Sequence, residues 1–100
     1  MIDIFSKMPQ DFKEDLKTAI KILQSAGCKE IYIFGSIAHG DVKGDSDIDI
    51  AVKGCPKGMF FKILGTLLIN LDHSVDLIDL DAGTRFNEFL INHEELVRVA

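Results

Sequence analysis

Residues 34–52 of the 100-residue chain read FGSIAHGDVKGDSDIDIAV, and this stretch decides the fold. It starts at the end of a predicted strand, Glu30–Phe34, whose β-branched and aromatic residues are typical of a buried strand. A Gly-Ser pair then ends that strand and opens a brief predicted helix, Ser36–His39. After a turn rich in Gly and Asp, residues 48–52 are apolar and predict a second strand.

Helical and strand patterns alternate on both sides of this stretch. Residues 10–26 repeat apolar side chains at helical spacing, with Lys and Glu on the opposite face. Residues 57–71 carry a wider apolar helical stripe, and residues 74–80 predict a third strand. A last helix is predicted from Thr84 onward and takes in Val97. The order α-β-(short α)-β-α-β-α predicts an α/β (α+β) fold class, with helices packed on one small mixed β-sheet.

Length and composition favour one domain over residues 1–100. The net charge of -5 argues against direct binding to nucleic acid, which uses clustered Lys and Arg. The first residues lack the pattern of a signal peptide, and no apolar run approaches the ~20 residues that span a membrane. We therefore expect a cytoplasmic protein that does not enter a membrane, and whose Cys28 and Cys55 are free thiols.

Polar groups at both ends of the central stretch suit a phosphate and its metal ions. Gly35 permits close approach of a ligand, and Ser36 offers its hydroxyl beside the N–H groups that open a helix. Asp47 and Asp49 stand two residues apart at the start of an apolar strand, so their side chains share one face, roughly 6.6 Å apart along it. Such carboxylates can converge on two Mg²⁺ ions about 3.5–4 Å apart.

A third carboxylate comes from the strand predicted over residues 74–80. Asp76 and Asp79 point to opposite faces of that strand, so they cannot both reach the same metal ions. Asp76 lies in mid-strand between apolar residues, where an uncompensated carboxylate is costly, whereas Asp79 lies near the strand end. We therefore predict that Asp76 joins the first pair; the alternative is a surface acid at a strand edge.

Other phosphate and metal motifs fail at single positions. The segment from Gly35 to Gly40 begins like a P-loop, but an Asp-Val pair follows where Lys and Ser or Thr are required. The alternating aspartates from Asp45 begin like a calcium-binding EF-hand loop, but Ile50 stands where that loop needs Gly.

The combined pattern resembles the polymerase beta-like nucleotidyltransferases: a Gly-Ser pair, then Asp-x-Asp, then a later aspartate on a strand. The short length and the form G-S-x-x-x-G-x-x-x-x-x-S-D-x-D over residues 35–49 are most similar to the minimal nucleotidyltransferase (MNT) group. The resemblance spans residues 34–80, and the predicted order of elements extends it over nearly the whole chain.

The resemblance implies a nucleotide site. In it, Gly35 and Ser36 hold the β- and γ-phosphates, while Gly40 and Ser46 shape the loop between the two halves of the motif. His39 stands where many members of the family carry Arg, so the resemblance does not assign it the neutralisation of phosphate charge.

The resemblance also implies two-metal catalysis. Asp47 and Asp49 would bind both Mg²⁺ ions, for which Mn²⁺ is an alternative, and Asp76 would complete the site that activates the acceptor hydroxyl. Because this chemistry needs no side-chain base, His73 and His93 receive no role, and we expect His73 to end a helix.

Proteins of this length resemble a bare catalytic core, without a domain that grips an acceptor. The resemblance implies that a partner protein supplies the acceptor hydroxyl, and in this group the partner is a HEPN-family ribonuclease. The chain would be the antitoxin of a HEPN/MNT toxin–antitoxin pair, and would transfer AMP from ATP, or a monophosphate from another NTP, to that partner.

Two other classes of function are compatible with the same residues. A non-catalytic module of the same fold would neutralise a partner by covering it, and would tolerate Asp47→Asn. A sensor would bind nucleotide with Mg²⁺ and release no pyrophosphate. The last helix carries a separate apolar face, formed by Phe86, Phe89 and Leu90. This face would serve the core, or a surface for a partner or homo-oligomer.

Overall fold

The computed structural model describes residues 8–39, 42, 46–93 and 96–100, apart from the side chains of Phe86 and His93. Its order of helices and strands confirms the predicted fold class. The elements are α1 (Gln10–Ser25), β1 (Glu30–Phe34), α2 (Ser36–His39), β2 (Ile48–Lys53), α3 (Phe60–Asn70), β3 (Val75–Asp79), a 3₁₀ turn (Leu80–Ala82), α4 (Arg85–His93) and β4 (Val97–Arg98).

The four strands form one mixed sheet in the order β3-β2-β1-β4. β1 is antiparallel to both of its neighbours, β2 and β4, whereas β2 and β3 run parallel. Parallel neighbours need a crossover connection, which α3 supplies here. β2 is therefore an inner strand, flanked by β1 and β3, and its first residues meet the end of β1 and the start of β3.

One face of the sheet carries the main core. α1 buries Phe12, Leu16, Ala19 and Leu23, which recur at helical spacing, as the sequence predicts. They pack against alternate residues of the strands, since every second side chain points to the same face. The strand residues of this core are Ile31, Ile33, Ile48, Ile50, Val52 and Leu77.

The opposite face of the sheet is covered in part by α4. Leu90 of α4 is buried with Phe34 and Ala51 in a smaller cluster. The buried Asn87 fastens the helix to the end of β3, because its Nδ2 donates to the carbonyl oxygen of Asp79 at 2.6 Å. This face also carries the odd-numbered residues of β2, among them Asp49.

We expect Asn87→Ala to lower the free energy of unfolding by about 1–3 kcal/mol. The change leaves the Asp79 carbonyl without its donor beneath α4, and an unsatisfied buried acceptor costs about that much. Asn70→Ala is the matched control, since its Nδ2 donates to the Thr66 carbonyl at 2.7 Å on an exposed surface. Urea unfolding of both variants checks the prediction, and equal losses at the two sites would contradict it.

The predicted last helix is wrong in its C-terminal part. α4 ends at His93, and Val97 lies in β4, opposite Ile33 of β1. Pairing with the edge of β1 satisfies backbone groups that a longer helix would leave to solvent: the Ile31 amide donates to the Ala100 carbonyl at 3.0 Å, and the Val99 amide donates to the Ile31 carbonyl at 2.8 Å.

α3 buries a narrower stripe than its sequence predicts. Ile63 and Leu67 are buried, but Leu68, which belongs to the predicted stripe, is 53% exposed. On α4, Leu90 packs in the core whereas Phe89 is half exposed, and the Phe86 side chain lies outside the described residues. Within the described ranges, no helix combines the length and apolar character needed to cross a membrane.

The prediction of free thiols is wrong. Cys28 and Cys55 form a disulfide between the segment that enters β1 and the segment that leaves β2. The antiparallel register explains the pairing. Glu30 lies opposite Lys53, so two residues further outward on each chain Cys28 faces Cys55. The bridge thus closes the end of the β1–β2 pair that is distant from Asp49.

Candidate active site

Two carboxylates of the predicted set meet across the parallel strands. Asp49 of β2 and Asp76 of β3 are register partners, so they occupy adjacent positions on the same face of the sheet. Asp79 pairs with Val52, which points to the opposite face, where the main core lies. The structure therefore brings Asp76, and not Asp79, beside Asp49.

Asp47 precedes β2 by one residue and is exposed. Its position two residues before Asp49 places it on the same side of the chain where the strand begins. The charge of Asp47 acts on Asp49, as does that of Asp76. Three aspartates are thus gathered where β2 and β3 start.

Asp49 is the least solvated member of this group. Its pKa is raised from 3.8 to about 6, chiefly by burial and then by the negative charges of Asp76 and Asp47. Each of these causes opposes ionisation of Asp49, and each would be offset by a cation held between the carboxylates. A perturbed carboxylate of this kind is typical of functional sites.

Gly35 lies against Asp49 at the end of β1. Its φ is +68°, in the left-handed region that favours glycine. A Cβ built at Gly35 would overlap Oδ2 of Asp49 and lie 3.2 Å from its Cγ. The absent side chain therefore leaves room for the carboxylate, and keeps the backbone of the Gly-Ser pair beside it.

The other predicted nucleotide-binding residues are placed in part. Ser36 is the first residue of α2, directly after Gly35, and is half-buried. Ser46 precedes Asp47 and is also half-buried, while His39 is exposed at the end of α2. Gly40 lies outside the described residues, so its predicted role in the loop stays a prediction.

The chemistry of the donor set suits a hard divalent cation. Mg²⁺ and Mn²⁺ prefer oxygen ligands, and Mg²⁺ uses only one or two protein carboxylates together with phosphate oxygens and water. In the described part of the chain, no three acidic, His or Cys side chains draw close enough to enclose one ion. A metal ion at these carboxylates would therefore take its remaining ligands from phosphate oxygens and water.

Sequence reasoning missed the surroundings of His73, which it expected to end a helix. The residue follows α3 in the loop before β3, and its ring nitrogen Nδ1 lies 2.6 Å from Oδ2 of the buried Asp15. A signal was present, because an acidic residue interrupts the apolar stripe of α1 at a buried position. The pattern of α1 does not reveal which distant segment such a residue meets.

Comparison with known families identifies a match over most of the chain. Residues 17–98 match the family described as Polymerase beta, Nucleotidyltransferase. The matched range contains the Gly-Ser pair and all three aspartates. Among curated proteins, no sequence is close enough to count as a relative.

Two solved structures share the fold. The crystal structure of a toxin–antitoxin with AMP-PNP aligns with a TM-score of 0.63 and 28% identity, covering 82% of this chain and 70% of that chain. The crystal structure of the toxin–antitoxin MntA-HpeT, in a mutant with two aspartates changed to glutamate, aligns with a TM-score of 0.62 and 26% identity over the same shares.

Proposed function

The chain belongs to the polymerase beta nucleotidyltransferase family, and from this premise we propose that it transfers AMP from ATP to a hydroxyl group of a partner protein, as the antitoxin of a toxin–antitoxin pair. The partner is proposed to be a HEPN-family toxin. The observation that carries the proposal is the register pair Asp49–Asp76, which lies beside Gly35 and just after Asp47.

The two structural neighbours support the choice of nucleotide and of partner. One of them is a toxin–antitoxin described with AMP-PNP, an analogue of ATP. The other carries glutamates in place of two aspartates that stand two positions apart, which is also the spacing of Asp47 and Asp49. At 28% and 26% identity they support the same nucleotide and the same class of partner for this chain.

The carboxylates would hold the two Mg²⁺ ions, or Mn²⁺ in their place. Asp47 and Asp49 would serve both ions, and Asp76 would complete the site on the side of the acceptor. When bound, the ions supply activation of the acceptor hydroxyl and neutralisation of the charge that develops on the leaving pyrophosphate. The partial burial of Asp49 would keep bulk water from competing for that ligand.

The Gly-Ser segment would orient the triphosphate. The backbone at Gly35 and the hydroxyl of Ser36 would donate to the β- and γ-phosphates, and Ser46 and Gly40 would shape the loop between the two halves of the motif. In the proposed transfer, the acceptor hydroxyl loses its proton, its oxygen bonds to the α-phosphorus, and pyrophosphate leaves. Positioning and charge neutralisation account for most of the catalysis in such reactions.

The test is transfer of label from ATP labelled in its α-phosphate, with Mg²⁺, to a protein acceptor in an extract of the source cells. We expect one labelled protein band with the wild type. Asp76→Asn should reduce labelling by at least about 10–100-fold, because loss of a direct ligand should cost no less than is typical of the groups that support ligands.

Asp79→Asn is the matched control for this experiment. It makes the same chemical change on the same strand, but on the face opposite Asp49, and an Asn side chain can still accept from the Asp81 amide. Labelling should match the wild type. Equal labelling by both variants would contradict the assignment of Asp76 to the metal site. Label on RNA would show that the acceptor is RNA and not a protein. No label with any nucleotide would favour a module that neutralises its partner by covering it.

A further inference from the structure

Asp15 of α1 is buried and holds the loop that leads into β3. Asp15 is 6% exposed, and Oδ2 of its carboxylate accepts three hydrogen bonds. The amides of Asp72 and His73 donate to this oxygen at 3.0 and 2.9 Å. The ring nitrogen Nδ1 of His73 donates to it at 2.6 Å, since a carboxylate oxygen accepts. A single buried carboxylate thus fixes two consecutive residues of the loop.

The ring of His73 is held in place from two further directions. It stacks on Phe12 with ring centroids 3.7 Å apart and an angle of 27° between the planes. Its Nε2 lies 3.2 Å from Oδ2 of Asp11. Asp11, Phe12 and Asp15 all lie in the first turns of α1. The N-terminal end of this helix therefore contacts both the His73 ring and the backbone of the loop.

The backbone of this loop is hydrogen-bonded directly to β2, the strand that carries Asp49. The carbonyl of Ser74, the residue after His73, accepts from the amide of Ile48 at 2.8 Å. Ile48 stands between Asp47 and Asp49 in the chain. The Asp49–Asp76 pair follows one position further along the parallel register.

We propose that Asp15 and His73 are positioning residues for the metal site: by fixing the loop over residues 72–74, they set the position of Asp76 relative to Asp49. The inference rests on the proposed function, which assigns metal ions to these carboxylates. Its physical basis is that a metal site depends on groups that orient its ligands, and losing one such group weakens metal binding roughly 10–100-fold.

The experiment measures Mn²⁺ binding by electron paramagnetic resonance of the free ion, under conditions where each variant is folded by circular dichroism. Asp15→Asn and His73→Ala should raise the Kd for Mn²⁺ roughly 10-fold. His73→Asn should stay within about twofold of the wild type, because its Nδ2 can donate from nearly the place of the ring Nδ1. This pair keeps the test decisive even where Asp15→Asn does not fold.

Ala19→Gly is the control for a general loss of stability. Ala19 is buried on the same helix, one turn beyond Asp15, and glycine weakens a helix interior. Hydrogen exchange of the Ile48 amide gives a second readout at the junction itself. It should accelerate in His73→Ala relative to Ala19→Gly when the two are compared at equal stability, since only the former releases the loop that holds the Ser74 carbonyl.

The outcomes separate this inference from the proposed function. If the wild type binds Mn²⁺, Asp49→Asn does not, and His73→Ala binds as tightly as the wild type, the positioning role is overturned while the metal site stands. Weakening by the same factor in His73→Ala, His73→Asn and Ala19→Gly also overturns it, because stability alone would then explain the effect. Failure of the wild type to bind Mn²⁺ overturns the proposed function, and this inference with it.

Discussion

Asp49→Asn is expected to abolish nucleotidyl transfer and, without metal, to make the protein more stable. A ligand shared by two metal ions contributes several kcal/mol to the transition state, and each 1.36 kcal/mol corresponds to a factor of ten in rate. The loss of label transfer should therefore reach about 1000-fold or more. Rates of transfer from α-labelled ATP, compared with the wild type at saturating Mg²⁺, measure it.

The gain in stability follows from the pKa of Asp49. Its value is raised from 3.8 to about 6 in the folded chain, so the folded state binds more protons than the unfolded state between these two pH values. The free energy of unfolding of the wild type should therefore fall as pH rises through this window, and stay lower above it. After allowance for solvent screening of this partly exposed group, the cost is about 1–2 kcal/mol, and Asp49→Asn removes it.

Urea unfolding in the presence of a chelator, at pH 5 and pH 7.5, tests this gain. Asp47→Asn is the matched control, because Asp47 is exposed and the same substitution there should change stability by less than about 0.5 kcal/mol. Saturating Mg²⁺ should reverse the order, since an ion at 100 times its Kd stabilises the wild type by about 2.7 kcal/mol. An Asp49→Asn protein that is less stable than the wild type in chelator would refute the electrostatic argument.

Gly35→Ala is expected to lower both the free energy of unfolding and the rate of transfer. Alanine at φ +68° costs about 1–2 kcal/mol, and the overlap of its Cβ with Oδ2 of Asp49 adds about 1–3 kcal/mol. The displaced carboxylate should also reduce label transfer by about 100-fold, as a displacement of one ångström can. Urea unfolding and the labelling assay measure the two effects.

Gly83→Ala separates the cost of the backbone conformation at Gly35 from the cost of the overlap with Asp49. Gly83 has a φ of +67°, but a Cβ there would meet nothing within 4 Å, so it bears the backbone cost alone. The difference in stability between the two variants then reports the contact with Asp49. In an Asp49→Ala background this difference should shrink toward zero, and persistence of the full difference would show that the contact with Oδ2 is not its cause.

The face of the sheet that bears the aspartates could be predicted because strand periodicity is strict. Side chains alternate along a strand, so the apolar Ile48 and Ile50 place Asp49 on the opposite face, and the same rule separates Asp76 from Asp79. The parallel register that makes Asp49 and Asp76 neighbours cannot be deduced from the sequence of either strand. It depends on the crossover through α3 and on the loop that α1 holds.

The features that sequence reasoning missed all depend on contacts between distant segments. The Cys28–Cys55 bridge requires the register of β1 and β2, since the two residues lie 27 positions apart. Asp15 interrupts the apolar stripe of α1, but the sequence of that helix does not reveal that its partner is the loop around His73. Val97 continues an apolar pattern that fits a helix or a strand equally well, and only the free edge of β1 decides between them.

The order of strands in the sheet also has a consequence for the time at which the site forms. Tyr32 pairs with Arg98, a contact between residues far apart in sequence, and such contacts close slowly because the intervening chain loses entropy. The strands that hold the aspartates are β2 and β3, and both are complete at Asp79. The β2–β3 pair closes a shorter stretch of chain than the β1–β4 pair does, so its loop-closure entropy is smaller, and the strands that carry the carboxylates can pair before β4 joins the sheet.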